Sequence, residues 1–356
     1  MKIALIFPNN IFTAPYIDYY RQVLDMHDVE YTLITWNRAG KTENKTIAYE
    51  NNSSSRNPFL IALNYYRFGQ FSKKEILKGK FDKLIVFTPQ LGIFLSTFLI
   101  KKFSSKVILD IRDYTSVITY FEKRFLKLLK HTPDIFISSL GFTDWLPKNK
   151  NYIISHNINI ELIKNYLDGK YAKKEFFLNK KIHVDTIGAI RDFQTNSAVM
   201  LQLQNNENFQ MSFIGKGPAI ELLKKEIKNN NIENVKLLGP YEKSQEIKLL
   251  ERTDFINIIQ NNDKISNYAI ANRLYLSALL QIPCIARNNT EHSRVIKKYG
   301  LGIVMDDYTE IPNKLLKFKE SFNKEQFINN CTVFLEDVKR DYDHFETSVQ
   351  TFITEI

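Results

Sequence analysis

The feature that most constrains this chain is the recurrence of short, continuous apolar runs separated by stretches of helical spacing. Lys2–Pro8, Tyr31–Trp36, Lys83–Thr88, Lys106–Asp110, Asp134–Ser139 and Tyr152–His156 form one series. His183–Ile190, Phe209–Ile214, Val235–Leu238, Asp254–Ile259, Ile282–Ala286 and Gly302–Met305 form a second. A strand with one wet face alternates polar and apolar residues. These runs do not alternate, so both faces must be covered, which is the condition of a parallel sheet with helices on either side. Two such series predict an α/β protein of two doubly wound, Rossmann-like units. A length of 356 residues suits two cores better than one.

The expected division is a first unit over 1–160, a polar, lysine-rich linker over 161–181 containing GKYAKKEFFLNKK and with room for a short helix, and a second unit over 182–339. Beyond Met305 the apolar spacing becomes helical and predicts two or more terminal helices, the last of which, 340–356, is expected to complete the first unit. The asparagine-rich patch Glu43–Asn57 reads as a flexible loop.

Composition removes several classes of function. Cys284 and Cys331 belong to no CxxC or Cys/His cluster, which argues against a disulfide framework and a structural zinc site and points to a reducing cytoplasm. The opening MKIALIFPNN is too short to span a bilayer and reads as a buried strand. None of the six histidines sits in a metal-ligand pattern; His156, before Asn157, is the one to follow. The net charge of +10 comes from lysine spread along the chain, which fits an anionic partner or simply a lysine-rich composition. No nucleic-acid-binding motif accompanies it, so none is expected as a partner.

In open α/β sheets ligands bind beyond the carboxyl ends of the strands. In the second series, VDTIGAIRD places Gly188 and Arg191 there, and FIGKGPAIELLKK places Gly215, Lys216 and Gly217 before a helix with Pro218 in its first turn. Glycines admit close approach of a ligand, while cations and helix starts hold anions. The spacing is not that of a GxxxxGK[ST] phosphate loop. In NVKLLGPYEKSQEIKLLERTDFINII, the Gly239–Pro240 turn, with Tyr241 beside it, can present backbone groups to a nucleotide base. ISNYAIANRLYLSALLQIPCIA puts Asn272 and Arg273 at a helix entrance, where they can meet ribose or phosphate. Taken singly, each piece also reads as a plain turn, a solvated arginine or an N-cap.

In their order, Gly-x-x-Arg, GKGP, LLGPY with TDFINII, NRLYLSALLQIPCIA and EHSRVIKKYGLGIVM resemble the donor domain of GT-B glycosyltransferases, especially the family 4-like bacterial polysaccharide enzymes. VILDIRDYTSVITYFEKRFLKLLKHTPDIFISSLGFTDWL followed by YIISHNINIELI is similar to the end of the acceptor domain in the same group. The resemblance implies transfer of a sugar from a nucleotide donor, UDP-linked, to a saccharide or lipid-linked acceptor in capsule, O-antigen or exopolysaccharide synthesis, with retained configuration and no metal or other cofactor. The family's arginine and lysine pair in the first loop is displaced here, and Arg191, Lys216 and Arg273 are the candidates for the donor diphosphate. Many members carry two glutamates eight positions apart; the matching positions here are Tyr268 and Leu276, leaving Ser277 or Asn272 as substitutes toward the ribose. The same architecture also serves sugar-nucleotide 2-epimerases, and the missing pair suits a catalytically silent nucleotide-binding scaffold.

Asp110 and Asp113, in DIRD at the end of a first-series strand, are the candidate catalytic residues. They act as base in an inverting transfer or position the sugar or acceptor in a retaining one, and Asp113 equally reads as a helix cap. In PNNIFTAPYIDYYRQ, Asn9, Asn10 and Tyr16 are acceptor-side candidates, Tyr16 with Tyr19 and Tyr20 offering apolar faces for sugar stacking or helix packing. Met305–Asp306–Asp307 reads as a turn rather than a metal motif. Pro58–Lys74 and Lys123–His131 mix aromatic or leucine faces with basic residues, as in segments that lie on the inner face of an anionic membrane or in buried helices with a solvated basic edge.

Overall fold

A computed structural model describes residues 1–52, 57–171 and 174–355. The chain divides into two compact units, Met1–Asn157 with Arg340–Ile356, and Ile158–Lys339.

The first unit holds a parallel sheet of β1 (Lys2–Phe7), β2 (Glu30–Asn37), β3 (Thr46–Glu50), β4 (Lys83–Phe87), β5 (Val107–Ile111), β6 (Asp134–Ile137) and β7 (Ile153–Ile154). Its order is β3-β2-β1-β4-β5-β6-β7, so the order reverses between β1 and β4, as in doubly wound folds. The central strands β4 and β5 are buried along their whole length, as their unalternating sequence predicts. In β2–β3 the register runs from Leu33 opposite Thr46 to Asn37 opposite Glu50. Within the patch expected to be a loop, Thr46–Glu50 is therefore an edge strand, and residues 53–56 lie outside the described residues.

The second unit holds β8 (Ile182–Ala189), β9 (Phe209–Lys216), β10 (Val235–Gly239), β11 (Phe255–Asn257), β12 (Cys284–Arg287) and β13 (Gly302–Met305). These strands are also parallel, in the order β10-β9-β8-β11-β12-β13, with the reversal between β8 and β11. The segment expected as a linker begins with a short helix, Ile160–Leu167, whose Ile163 and Tyr166 are buried. Tyr166 accepts a hydrogen bond from Gln281 Nε2 at 3.1 Å, which ties that helix to the second unit. Of the same segment, residues 172–173 lie outside the described residues.

Two helices close the chain, Ile311–Glu320 and Lys324–Thr354. The boundary between the units falls inside the second, and its last turns carry Phe345, Val349, Phe352 and Ile353 into the core of the first unit. There Tyr20 sits edge-on to Phe345, with ring centroids 4.9 Å apart. Lys83, on β4, is buried and donates to the Phe352 and Glu355 carbonyl oxygens, acceptors that a helix end leaves without internal partners. Burial lowers the Lys83 pKa. Both tryptophans, Trp36 and Trp145, belong to the first unit, so tryptophan fluorescence reports its unfolding alone. Lys83→Met is expected to lower that unit's stability to urea by about 1.5–3 kcal/mol, the value of a hydrogen bond to a charged group. An unchanged fluorescence midpoint would show that the helix end is held without the lysine.

Candidate functional site

Where the order of the second sheet reverses, the strand ends crowd together. Gly188 pairs with Gly215 across β8 and β9 and adopts φ +100°. A side chain at Gly188 would have open space, with only the Tyr241 hydroxyl at 4.0 Å. At Gly215 an added Cβ would lie 1.9 Å from the Gly188 carbonyl oxygen, and at Gly217 2.1 Å from that of Ile190. Gly215 and Gly217 thus serve the close approach of two loop backbones, whereas Gly188 faces open space that a ligand can enter. The helix after β9 is Ile220–Asn229, so Pro218 precedes it rather than opening it. The Ala219 N–H at that entrance is already given to the Ile190 carbonyl, 3.2 Å away. Lys216 ends β9 beside Ala189 with its side chain exposed.

Arg273 is the central cation of this edge. Its Nη1 donates to the Asn257 carbonyl at 3.0 Å, and among the described residues this is its hydrogen bond, leaving the rest of its fork for a ligand. Burial pulls its pKa down; Asp192 and Tyr241 offset this, and Arg191 adds repulsion. A half-buried guanidinium among a second arginine and few acids favours an anion that replaces the lost hydration. Arg191 is exposed, one residue before Asp192, which accepts from Asn261 Nδ2 at 2.8 Å. The Tyr241 hydroxyl donates to Glu246 Oε1 at 2.8 Å, and burial, aided by that bond, pushes its pKa well up.

Asn272 is exposed and is the first residue of the helix Asn272–Leu279, not its cap; Ala271 occupies that position in an extended conformation. Ser277 lies away from the edge. It is 1% exposed, donates to the Leu274 carbonyl at 2.8 Å and accepts from Cys284 Sγ at 2.7 Å, so it does not stand in for a ribose-binding carboxylate.

Two residues absent from the sequence reading belong to this edge. Arg287, at the end of β12, donates to the Gln260 and Asn261 carbonyls and to the Asn267 side chain, fixing the loop that follows β11. His292 is buried, and its Nε2 accepts the Ala271 N–H at 2.8 Å, which anchors the entrance of the Arg273 helix. Burial, then Arg273 and Arg287, push its pKa down to about 3. Arg287 directly follows an apolar run, the position already searched on other strands. For His292 the signal was a Thr-Glu-His-Ser capping sequence, with Thr290 Oγ1 accepting the Ser293 N–H.

In the first unit the DIRD pair separates. Asp110 is fully buried: Arg112 Nε donates to its Oδ1 and Nη2 to its Oδ2, each at 2.6 Å, and Tyr20 donates to Oδ2 at 2.5 Å. A carboxylate so enclosed cannot reach an acceptor hydroxyl as a base; its role is to hold Arg112. Arg112 also donates to the Ser155 carbonyl and hydroxyl oxygens, both at 2.7 Å, and its guanidinium lies 4.0 Å from the centre of the Tyr16 ring. Tyr16 is itself buried, with burial driving its pKa far up, and serves as packing rather than an open stacking face. Asp113 is exposed, and Thr115, not Asp113, caps the following helix. Asn10 is wholly buried. Its Oδ1 accepts the N–H groups of Arg38 and Ala39 and its Nδ2 donates to Asn37, so it braces the loop after β2 instead of meeting substrate. Asn9, half-buried, accepts the Asn10 N–H at 2.9 Å. His156 pairs with Asp341 at 3.0 Å. No group of three or more His, Cys, Asp or Glu side chains among the described residues could hold a metal ion.

The chain matches no protein-family model and no curated protein sequence. Solved structures do resemble it. Sucrose-phosphate synthase of Thermosynechococcus elongatus superposes with a TM-score of 0.71 at 10% identity, covering 99% of each chain. HepE of Anabaena, in complex with UDP, gives 0.69 at 11% identity over 99% of this chain and 100% of that one. The chain has the GT-B glycosyltransferase fold. The lipopolysaccharide outer core galactosyltransferase WaaB gives 0.66 at 12% identity over 96% of this chain and 99% of its own.

The His292 contact predicts a pH dependence. Its folded pKa lies below its unfolded one, so the unfolded state binds the extra proton first and stability is lost as pH falls below about 6.5 toward 3. Between pH 7 and pH 5 this group alone removes about 2 kcal/mol. His292→Gln, which keeps an acceptor near Nε2 but does not titrate, should show a correspondingly flatter loss in urea unfolding followed by circular dichroism. Parallel pH profiles for the two proteins would place the buried neutral imidazole in error.

Proposed function

We propose that the protein transfers a sugar from a nucleotide donor, UDP-linked, to a saccharide or lipid-linked acceptor of a bacterial cell-surface polysaccharide. The observation that carries this reading is Arg273, half-buried with donors to spare and, like the open face of Gly188, neighbouring Tyr241, at the reversal point of the second sheet. The UDP bound by HepE, whose fold is similar, supports a uridine diphosphate as the ligand class.

In this reading Gly188 lets the diphosphate approach the backbone, and Arg191 and Arg273 take up the charge that develops as the sugar bond breaks, aided by the start of the Asn272–Leu279 helix. Lys216 adds a third cation from β9. Asp192 and Glu246, held beside Arg273 and Tyr241, supply the carboxylates for ribose or sugar hydroxyls that Tyr268 and Leu276 do not. No metal takes part. The reading takes retention of configuration, in which the leaving phosphate accepts the acceptor's proton; an inverting transfer would have to use the exposed Asp113, since Asp110 is enclosed.

The test is release of diphosphate from a panel of nucleotide sugars, with and without saccharide acceptors. The intact protein should turn over at least one UDP-sugar, and Arg273→Ala should lower kcat by about 10²–10³-fold, the range for losing one donor to developing charge. Silence with every donor, or an Arg273→Ala variant as active as the parent, would defeat the reading. Tight UDP binding with silence would point to the scaffold, which the missing glutamate pair favours.

A further inference from the structure

The first unit exposes large apolar side chains where its sequence is also basic. On the helix Pro58–Gly79, Phe59, Leu63 and Tyr66 recur at helical spacing and are exposed, Phe59 by 87%. On the segment Ser116–His131, Tyr120 is 83% exposed and Phe121 and Leu126 are also open. Phe94, on the helix Pro89–Lys102, bridges the two stretches: Tyr65 stacks on it at 6.1 Å, and it meets Phe121 at 6.0 Å. Arg124 fastens the second stretch to the helix Pro89–Lys102 through Ser96 Oγ at 2.6 Å.

Exposed cations surround these side chains. Arg67 follows Tyr66, and Lys123, Lys127 and Lys130 lie with Leu126 on one side of the helix Glu122–His131. Residues 58–74 include no acid, and residues 114–131 only Glu122. Such cations are not needed for the helix's own packing, which is made by Phe125, Leu128 and Leu129.

We propose that this face docks on an anionic lipid bilayer, with the aromatic and leucine side chains entering the headgroup boundary and the lysines and arginine meeting lipid phosphates. Three considerations select a bilayer over other occupants. Tyrosine and phenylalanine flanked by basic residues have the chemistry of an interfacial segment. A second copy would bring the same cations face to face, which disfavours a self-paired interface on a chain of net charge +10. No helix among the described residues is long and apolar enough to cross a membrane, so the contact lies on the surface. The proposal stands independently of the sugar-transfer reading, although it would bring the protein to a lipid-linked acceptor.

The experiment is co-sedimentation of the full chain with phosphatidylcholine vesicles made with or without phosphatidylglycerol, at low and high salt. Binding should need phosphatidylglycerol, weaken with salt and fall by about tenfold or more in both Phe59→Ser/Tyr120→Ser and Lys123→Glu/Lys127→Glu. These positions are exposed, so circular dichroism and UDP affinity should match the parent. Failure of the parent to bind anionic vesicles would overturn the proposal, as would variants that bind like the parent. Loss of self-association in the serine variant, without any vesicle binding by the parent, would assign the face to a second copy instead.

Discussion

The carboxyl edge of the second sheet depends on backbones meeting with no side chain between them where β8 and β9 end. Gly215 and Gly217 allow the turn after β9 to lie against the Gly188 and Ile190 carbonyls, and the Ala219 N–H closes the contact. Gly188 is then turned toward open space by its positive φ, in a conformation an L side chain rarely adopts. Arg191 and Asp192 follow directly, and Arg273 arrives from a different helix whose entrance is anchored by His292. The placement of Arg191, Lys216 and Arg273 along this edge is therefore a consequence of packing. At the two helix entrances the Ala219 and Ala271 N–H groups are already taken, by the Ile190 carbonyl and by His292.

The first unit uses charge differently. Asp110 and Arg112 are both buried, and their oxygens and N–H groups are spent on each other, Tyr20 and Ser155. Such a pair is costly to desolvate, and removing one partner leaves the other uncompensated, so it specifies how β5, the helix Ile17–Met26 and the turn after β7 fit together. Lys123, Lys127 and Lys130 are instead exposed and flank apolar surface side chains.

The architecture was legible in the sequence because strands buried on both faces leave unbroken apolar runs. β3 was missed because Thr46–Glu50 is a half-exposed edge strand in a polar setting, where burial writes no pattern. Tertiary structure also reversed several local readings. Asn10 and Asp110 sit at strand ends, where ligands bind, and Tyr16 at the entrance of the helix that follows β1, yet each is consumed by its neighbours, and sequence position alone does not reveal whether a polar group is already paired. Ser277 was judged by its helix, but its partner Cys284 lies on the next strand. His292 went unnoticed because its role is to receive a backbone N–H from a segment 21 positions away.

The claim on which the account rests is that a nucleoside diphosphate binds along the carboxyl edge of the second sheet. Hydrogen exchange of the full chain with and without UDP tests it without requiring turnover, a known acceptor or a variant. Protection is predicted in the peptides that contain Gly188–Asp192, Gly239–Glu246 and Ala271–Arg273, with the first unit's DIRD segment unchanged. Protection confined to the first unit, or none at saturating UDP, would contradict the account.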